Sequence, residues 1–182
     1  MCGSGRSVRP GVAFGVIALM ILLAGCGADG DVPSPSPSAT PAFDSDDAAV
    51  AAAVATYERY LAINAEINAD HGADAERVLE VTTSTYGTQL LADYREMRDA
   101  GVHITGVPIL RSSHPVSIDD DRGTIVLGIC LDVGPTRMIN EAGEDVTPEG
   151  KDLARLEVTF AAVANARVLL NGSELWSGET PC

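Results

Sequence analysis

The chain has 182 residues and a formal net charge of −14 at pH 7, because 26 acidic residues outnumber 12 lysines and arginines. So acidic a chain is repelled by phosphate backbones, which excludes nucleic acid as a partner. The charge is typical of a protein that stays soluble beside an anionic cell envelope, although it could also attract a basic partner.

The first 25 residues have the pattern of a secretory signal peptide. Arg6 and Arg9 form a basic region, and a mostly apolar run follows from Gly11 to Leu23. This run is shorter than the roughly 20 apolar residues that span a bilayer. An uncleaved membrane anchor and an ordinary signal peptide with a nearby cut are the alternatives.

The apolar run ends in Leu23-Ala24-Gly25-Cys26, which resembles a bacterial lipobox. The resemblance implies removal of residues 1–25 and acylation of Cys26, with palmitate as a typical group. Two or three acyl chains hold a protein stably on a membrane, whereas one chain is marginal. We therefore predict an extracytoplasmic lipoprotein, anchored through Cys26 to the outer face of the bacterial cell membrane.

The four cysteines then have different fates. Cys2 leaves with the signal peptide and Cys26 carries lipid, so Cys130 and Cys182 remain. In an oxidising compartment such an even pair predicts a disulfide bond. A reactive thiol pair or a metal site is the weaker alternative, because there is no Cys-x-x-Cys spacing and no histidine near either cysteine in sequence.

Residues 26–44 are rich in proline and serine and contain almost nothing that could pack. Proline-rich chain is extended, so this segment is interpreted as a tether between lipid and domain. Residues 45–182 are enough for one domain with one core.

Three helices are predicted at the start of this domain. The first begins at Asp46 and Asp47, and its inward side is predicted from helical spacing: Val50, Val54, Tyr57, Leu61, Ala65 and Asn68. A short second helix over residues 73–81 is expected to bury Val78 and Leu79. The third is capped by Ser84 or Thr85, ends near Gly101, and carries one stripe: Tyr86, Leu90, Tyr94 and Met97.

Beyond Gly101 the period of the apolar residues changes from 3.6 to 2. Pro108 and Pro115 predict a bent or edge strand over residues 102–118, and a turn follows at 119–123. The clearest strand has Ile125, Leu127, Ile129, Leu131 and Val133 on one face. Residues 141–144 are predicted to form a hairpin tip, and two further strands cover residues 156–162 and 166–177. About three helices followed by about four antiparallel strands indicate an α+β domain.

This order resembles the nuclear transport factor 2-like, or SnoaL-like, superfamily, and in particular its small secreted actinobacterial lipoproteins. The resemblance rests on these segments: Tyr57 with Tyr60, and residues 91–102, 129–133, 136–146, 155–163 and 180–182. It implies a cone-like, strongly curved antiparallel sheet packed on about three N-terminal helices. Residues 164–168 differ from the turn usual in such relatives, so the register of the last hairpin stays open.

Candidate chemical groups are few. The three histidines, His71, His103 and His114, are interpreted as surface or turn residues without metal-ligand spacing, so no metal and no cofactor is predicted. Residues 119–121 are three aspartates that lack the alternating ligands of a calcium loop. Asp132 could point into the cone as a proton acceptor, although the strand ends soon after it.

A candidate pocket between the helices and the sheet consists of four aromatic residues and the Asp132 carboxylate. The aromatic residues are Tyr57, Tyr86, Tyr94 and Trp176. The aromatic rings would serve equally well as core filling. No nucleophile motif and no phosphate-binding glycine loop lies in the domain. The leading hypothesis is therefore a non-catalytic envelope lipoprotein that binds a small apolar ligand or a protein. The alternatives are an accessory module of another envelope protein and a SnoaL-like isomerase or hydrolase.

Overall fold

The fold is described from a computed structural model, which covers residues 43–121, 123–150, 152–164, 167–178 and 182. The predicted signal peptide, Cys26 and the tether up to residue 42 lie outside the described residues. Within the part of the chain that is described, no helix is both long and apolar enough to cross a membrane.

Helices come first in the chain and antiparallel strands follow, which confirms the predicted α+β class. The elements are α1 (Asp46–Ala69), a 3₁₀ helix (Ala75–Glu80), α2 (Ser84–Asp99), β1 (Val102–Thr105), β2 (Ile109–Asp119), β3 (Thr124–Asp132), β4 (Arg137–Asn140), β5 (Leu153–Val163) and β6 (Arg167–Leu175).

Helix α1 begins where the sequence predicts it. The Ser45 hydroxyl accepts a hydrogen bond from the Ala48 N–H at 3.2 Å, and the acidic pair at 46 and 47 follows in the first turn. Its most buried stripe consists of Ala49, Ala53, Tyr57 and Leu61. Small alanines at the centre of the stripe let α1 approach the sheet closely, so Val50 and Val54 lie at its margin, only partly buried.

The second helix differs from its prediction. It is a 3₁₀ helix of six residues, and Val78 is buried whereas Leu79 is 40% exposed. Successive residues of a 3₁₀ helix are about 120° apart, so Val78 and Leu79 point in different directions and only Val78 faces the core. Helix α2 is capped by Thr83, one residue before the predicted Ser84, and it ends before Gly101, whose φ of 67° is in the left-handed region.

Four strands form the main antiparallel sheet in the order β2-β3-β5-β6, and β1 pairs separately with β4. The side chains of β3 alternate between the two faces of the sheet, as the sequence predicts. Its inner face, which packs against α1, carries Ile125, Leu127, Ile129 and Leu131. Its outer face carries Val126, Gly128, Cys130 and Asp132.

Strand β2 is an edge strand, as its prolines predict. Its pairing with β3 shifts between Leu110 and Ser112 and again between Pro115 and Ser117. Each shift is a bulge, which bends the strand and breaks the regular edge. Arg111 occupies the first bulge and has no Cα partner on β3.

The remaining turns follow the prediction closely. The Asn140 N–H bonds to the Glu144 carbonyl at 3.1 Å, which makes residues 141–144 a hairpin tip. Strands β5 and β6 pair from Val163 with Arg167 through Leu156 with Leu175, with one shift beside Phe160. The described residues form six strands instead of about four, because the region predicted as one bent strand is split into β1 and β2 and the 141–144 hairpin contributes β4.

Candidate functional site

The space between α1 and the inner face is occupied by aromatic side chains. Tyr57 and Phe160 are both buried, with ring centroids 6.4 Å apart in an edge-on arrangement. Tyr60 packs beside Tyr57 at 5.8 Å. Edge-to-face contacts of this kind fill a core tightly. Tyr57 is therefore part of the core.

Tyr94 and Tyr86 pack nearer to α2. Tyr94 is buried in a second cluster with Ile67 and Val78, and its hydroxyl donates to Asn64 Oδ1 at 2.6 Å. Tyr86 is partly buried against both clusters. The three tyrosines of the candidate pocket thus share the helical side of the sheet.

Burial changes the acidity of every tyrosine in the chain. Loss of hydration raises the pKa of Tyr57, Tyr60, Tyr86 and Tyr94 above the ordinary value for a phenol, and neighbouring tyrosines or Asp93 add to the effect. The four phenols are neutral at physiological pH and poor proton acceptors there.

Asp132 lies on the outer face, because its neighbour Leu131 points into the core and side chains alternate along a strand. It forms an ion pair with Arg111, whose Nε and Nη2 both donate to Oδ2, while the Gly134 N–H donates to Oδ1 at 3.0 Å. The hydrogen bonds from Arg111, then that from Gly134, lower the pKa of the Asp132 carboxyl below its ordinary value. At neutral pH the Asp132 carboxylate is therefore ionised, and both of its oxygens already accept hydrogen bonds.

The Arg111–Asp132 pair borders an open groove of about 820 Å³ at one end of the outer face. We call it the outer groove; its lining includes Arg111, Asp132, Arg137, Asp152, Leu153 and Cys182. Asp132 lies in register between Ile109 on β2 and Leu153 on β5. Ile109 is 45% exposed and Leu153 41% exposed, so apolar surface flanks the ion pair.

Cys182 is joined to β3 beside the Arg111–Asp132 pair and contributes to the lining of the outer groove. The sulfur atoms of Cys130 and Cys182, which the sequence predicts to pair, lie within bonding distance, with Cα atoms 5.4 Å apart. Trp176 packs edge-on against His114 at 5.9 Å. The His114 imidazole lies where a Cβ of Gly128 would be, so the absence of a side chain at 128 admits it. In the described part of the chain, Trp176 Nε1 is buried without a hydrogen-bond partner.

The predicted pocket residues are therefore divided between two faces. Tyr57, Tyr86 and Tyr94 lie on the inner side, whereas Asp132 and Trp176 lie on the outer side. Arg111 is the functional candidate that sequence reasoning missed, and its position depends on a bulge that no local pattern indicates. No group of three histidine, cysteine, aspartate or glutamate side chains suitable for a metal occurs within the described residues.

Comparison with known proteins gives little further information. The sequence matches no protein-family model and no curated protein. The structure is similar to the intermembrane space region of chloroplast protein ARC6, with a TM-score of 0.46 and 9% identity. That similarity covers 68% of this chain and 96% of the other, and it is too distant to bear on function.

Proposed function

We propose that this chain is an extracytoplasmic lipoprotein, anchored through Cys26, whose domain is a non-catalytic interaction module for another envelope protein. The observation that carries the proposal is the contrast between the two faces of the sheet. Tyr57, Leu127 and Phe160 fill the inner side, while the outer groove is open and combines charge with exposed apolar surface.

We propose further that the sheet is the curved sheet of the nuclear transport factor 2-like superfamily. Bulges in β2 and the register shift between β5 and β6 support this proposal, because each bends its strand. Among the described residues the helices precede the strands, which agrees with the order on which the resemblance rests.

A non-catalytic role agrees with the state of the titratable groups. A general base works best when its pKa lies near the operating pH. The pKa of Asp132 is lowered by Arg111 and Gly134, and the buried tyrosines have raised pKa values. Neither group has the acidity that proton transfer near neutral pH needs.

The shape of the outer groove favours a protein over a small ligand. Small-molecule sites usually enclose about 70–90% of their ligand, whereas this groove is open along its length. Arginine beside apolar residues is typical of the centre of protein interfaces. Arg111 with Ile109 and Leu153 makes such a combination.

Anchoring is tested by acylation of the full-length chain in a bacterium that processes lipoproteins. Cells are supplied with a clickable fatty acid, and label on the protein is compared between Cys26→Ser and Cys2→Ser. We expect Cys26→Ser to lose the label and leave the membrane fraction, and Cys2→Ser to keep both. Equal labelling of the two variants would refute the anchor.

The binding face is tested by photo-crosslinking in cells. A photoreactive amino acid replaces Leu153 in the outer groove or, as a matched control, Leu79, which is equally exposed at 40% on the 3₁₀ helix. We expect a discrete protein adduct from position 153 only. If position 153 gives no adduct and mass spectrometry of the purified protein finds a retained apolar molecule, the small-ligand alternative replaces our proposal.

A further inference from the structure

Two of the three histidines in the chain meet in space. His71 follows the end of α1 and His103 lies on β1, and their ring centroids are 4.1 Å apart with planes tilted by 52°. The sequence interpretation as separate surface residues overlooks this contact, because 32 positions separate them. His114 lies elsewhere, against Trp176.

The backbone at His71 adopts a conformation that favours glycine. The Gly72 N–H bonds to the Ile67 carbonyl at 2.8 Å, and the His71 N–H bonds to the Asn68 carbonyl at 3.1 Å. These two bonds form a Schellman motif, whose left-handed position is usually glycine. Here His71 occupies it with a φ of 54°. A side chain in this position costs free energy, and strain of this kind is a pointer to function.

Both imidazoles line one open cavity of about 430 Å³, together with Arg98, Asn140 and Glu141. The Glu141 side chain lies over Gly101, in space that a Cβ at position 101 would take. A carboxylate therefore shares the cavity with the two rings, and Arg98 is also among the lining residues.

We propose that His71 and His103 bind one divalent transition-metal ion of the Zn²⁺, Ni²⁺ or Cu²⁺ type. Neutral imidazole nitrogen is a preferred ligand of these ions, whereas Ca²⁺ and Mg²⁺ select oxygen. A metal–nitrogen bond of about 2.1 Å places two imidazole centres about 5 Å apart. The rings, now 4.1 Å apart, need to separate by about 1 Å and to turn their nitrogens toward one point, and His71 is exposed enough to move.

The site has two strong ligands. No third histidine, cysteine, aspartate or glutamate completes a cluster with them among the described residues. Water fills the other coordination positions, and Glu141 adds negative charge nearby. The affinity is therefore lower than that of a structural zinc site, and the ion exchanges with solvent.

The test is isothermal titration of the full-length protein, purified without a polyhistidine tag, with ZnCl₂ at neutral pH. We expect one ion per chain for the wild type, and binding weakened about tenfold or more by His71→Ala or His103→Ala, which is about 1.4 kcal/mol or more. His114→Ala is the matched control and should bind as the wild type does. Mg²⁺ should give no heat above dilution.

The backbone at position 71 provides a second readout. His71→Gly keeps the Schellman motif and relieves the strained conformation, so this variant should melt at a higher temperature than the wild type. It should also lose the upward shift in melting temperature that Zn²⁺ gives the wild type. The proposal is overturned if the wild type does not bind Zn²⁺ or if His71→Gly binds it as the wild type does. It is also overturned if His114→Ala weakens binding as much as the variants at positions 71 and 103 do.

Discussion

The covalent link between Cys130 and Cys182 is expected to supply a large part of the stability of the domain. The two residues are 52 positions apart, and for a loop of this length the chain-entropy relation gives about 4 kcal/mol. A domain of this size has a urea m-value of about 2 kcal/mol per molar, so reduction should lower the unfolding midpoint by about 2 M. The measurement is urea unfolding followed by circular dichroism, with and without reductant.

Two controls separate the bond from other effects of the reductant. A variant with Cys130→Ala and Cys182→Ala should unfold at the same urea concentration with and without reductant. Trp176 is the single tryptophan and packs beside the link, so its fluorescence reports whether the C-terminal segment detaches before the domain unfolds. A midpoint that moves by less than about 0.5 M on reduction would show that the loop-closure reasoning is wrong.

Three further predictions concern packing and burial. Leu170 is fully buried, so Leu170→Ala should destabilise the domain by about 2–5 kcal/mol in urea unfolding. Leu175 is 82% exposed on the same strand, so Leu175→Ala should change the free energy of unfolding by less than about 0.5 kcal/mol. Gly128→Ala should displace the His114 ring and shift the Trp176 fluorescence, and adding His114→Ala should restore stability in a double-mutant cycle. Burial raises the pKa of the four tyrosines, so the stability that the fold gains from keeping them neutral is complete below about pH 10 and is lost as the pH rises further. An ultraviolet titration should show phenolate at about pH 10 in urea but only at higher pH in the native protein.

Features that depend on neighbours in sequence could be predicted well. The start of α1 follows from the two acids at 46 and 47, because the helix dipole acts within the first turn, and the structure adds Ser45 as the cap. The inner face of β3 follows from strict alternation. Pro115 predicts an edge strand because proline cannot donate to a ladder, and the structure has a bulge there.

Features that depend on distant contacts could not be predicted. Alternation assigns residues to two faces, but it does not say which face the helices cover, so the sequence leaves Asp132 a candidate for the same pocket as Tyr57. Arg111 reaches Asp132 because it lies in a bulge, and a bulge shifts the register without any marker in the sequence. The contact between His71 and His103 depends on how the end of α1 meets β1, which is a property of the packed domain.

The disulfide determines what lies beside the Arg111–Asp132 pair on the outer face. Cys130 is two residues before Asp132 on the outer face, and the link holds Cys182 near the end of β3. Trp176 packs against His114, which lies over Gly128 further back along β3, while Ile109 and Leu153 on either side of Asp132 stay exposed. The bond that is expected to stabilise the domain therefore also forms part of the lining of the outer groove, where we propose that a partner binds.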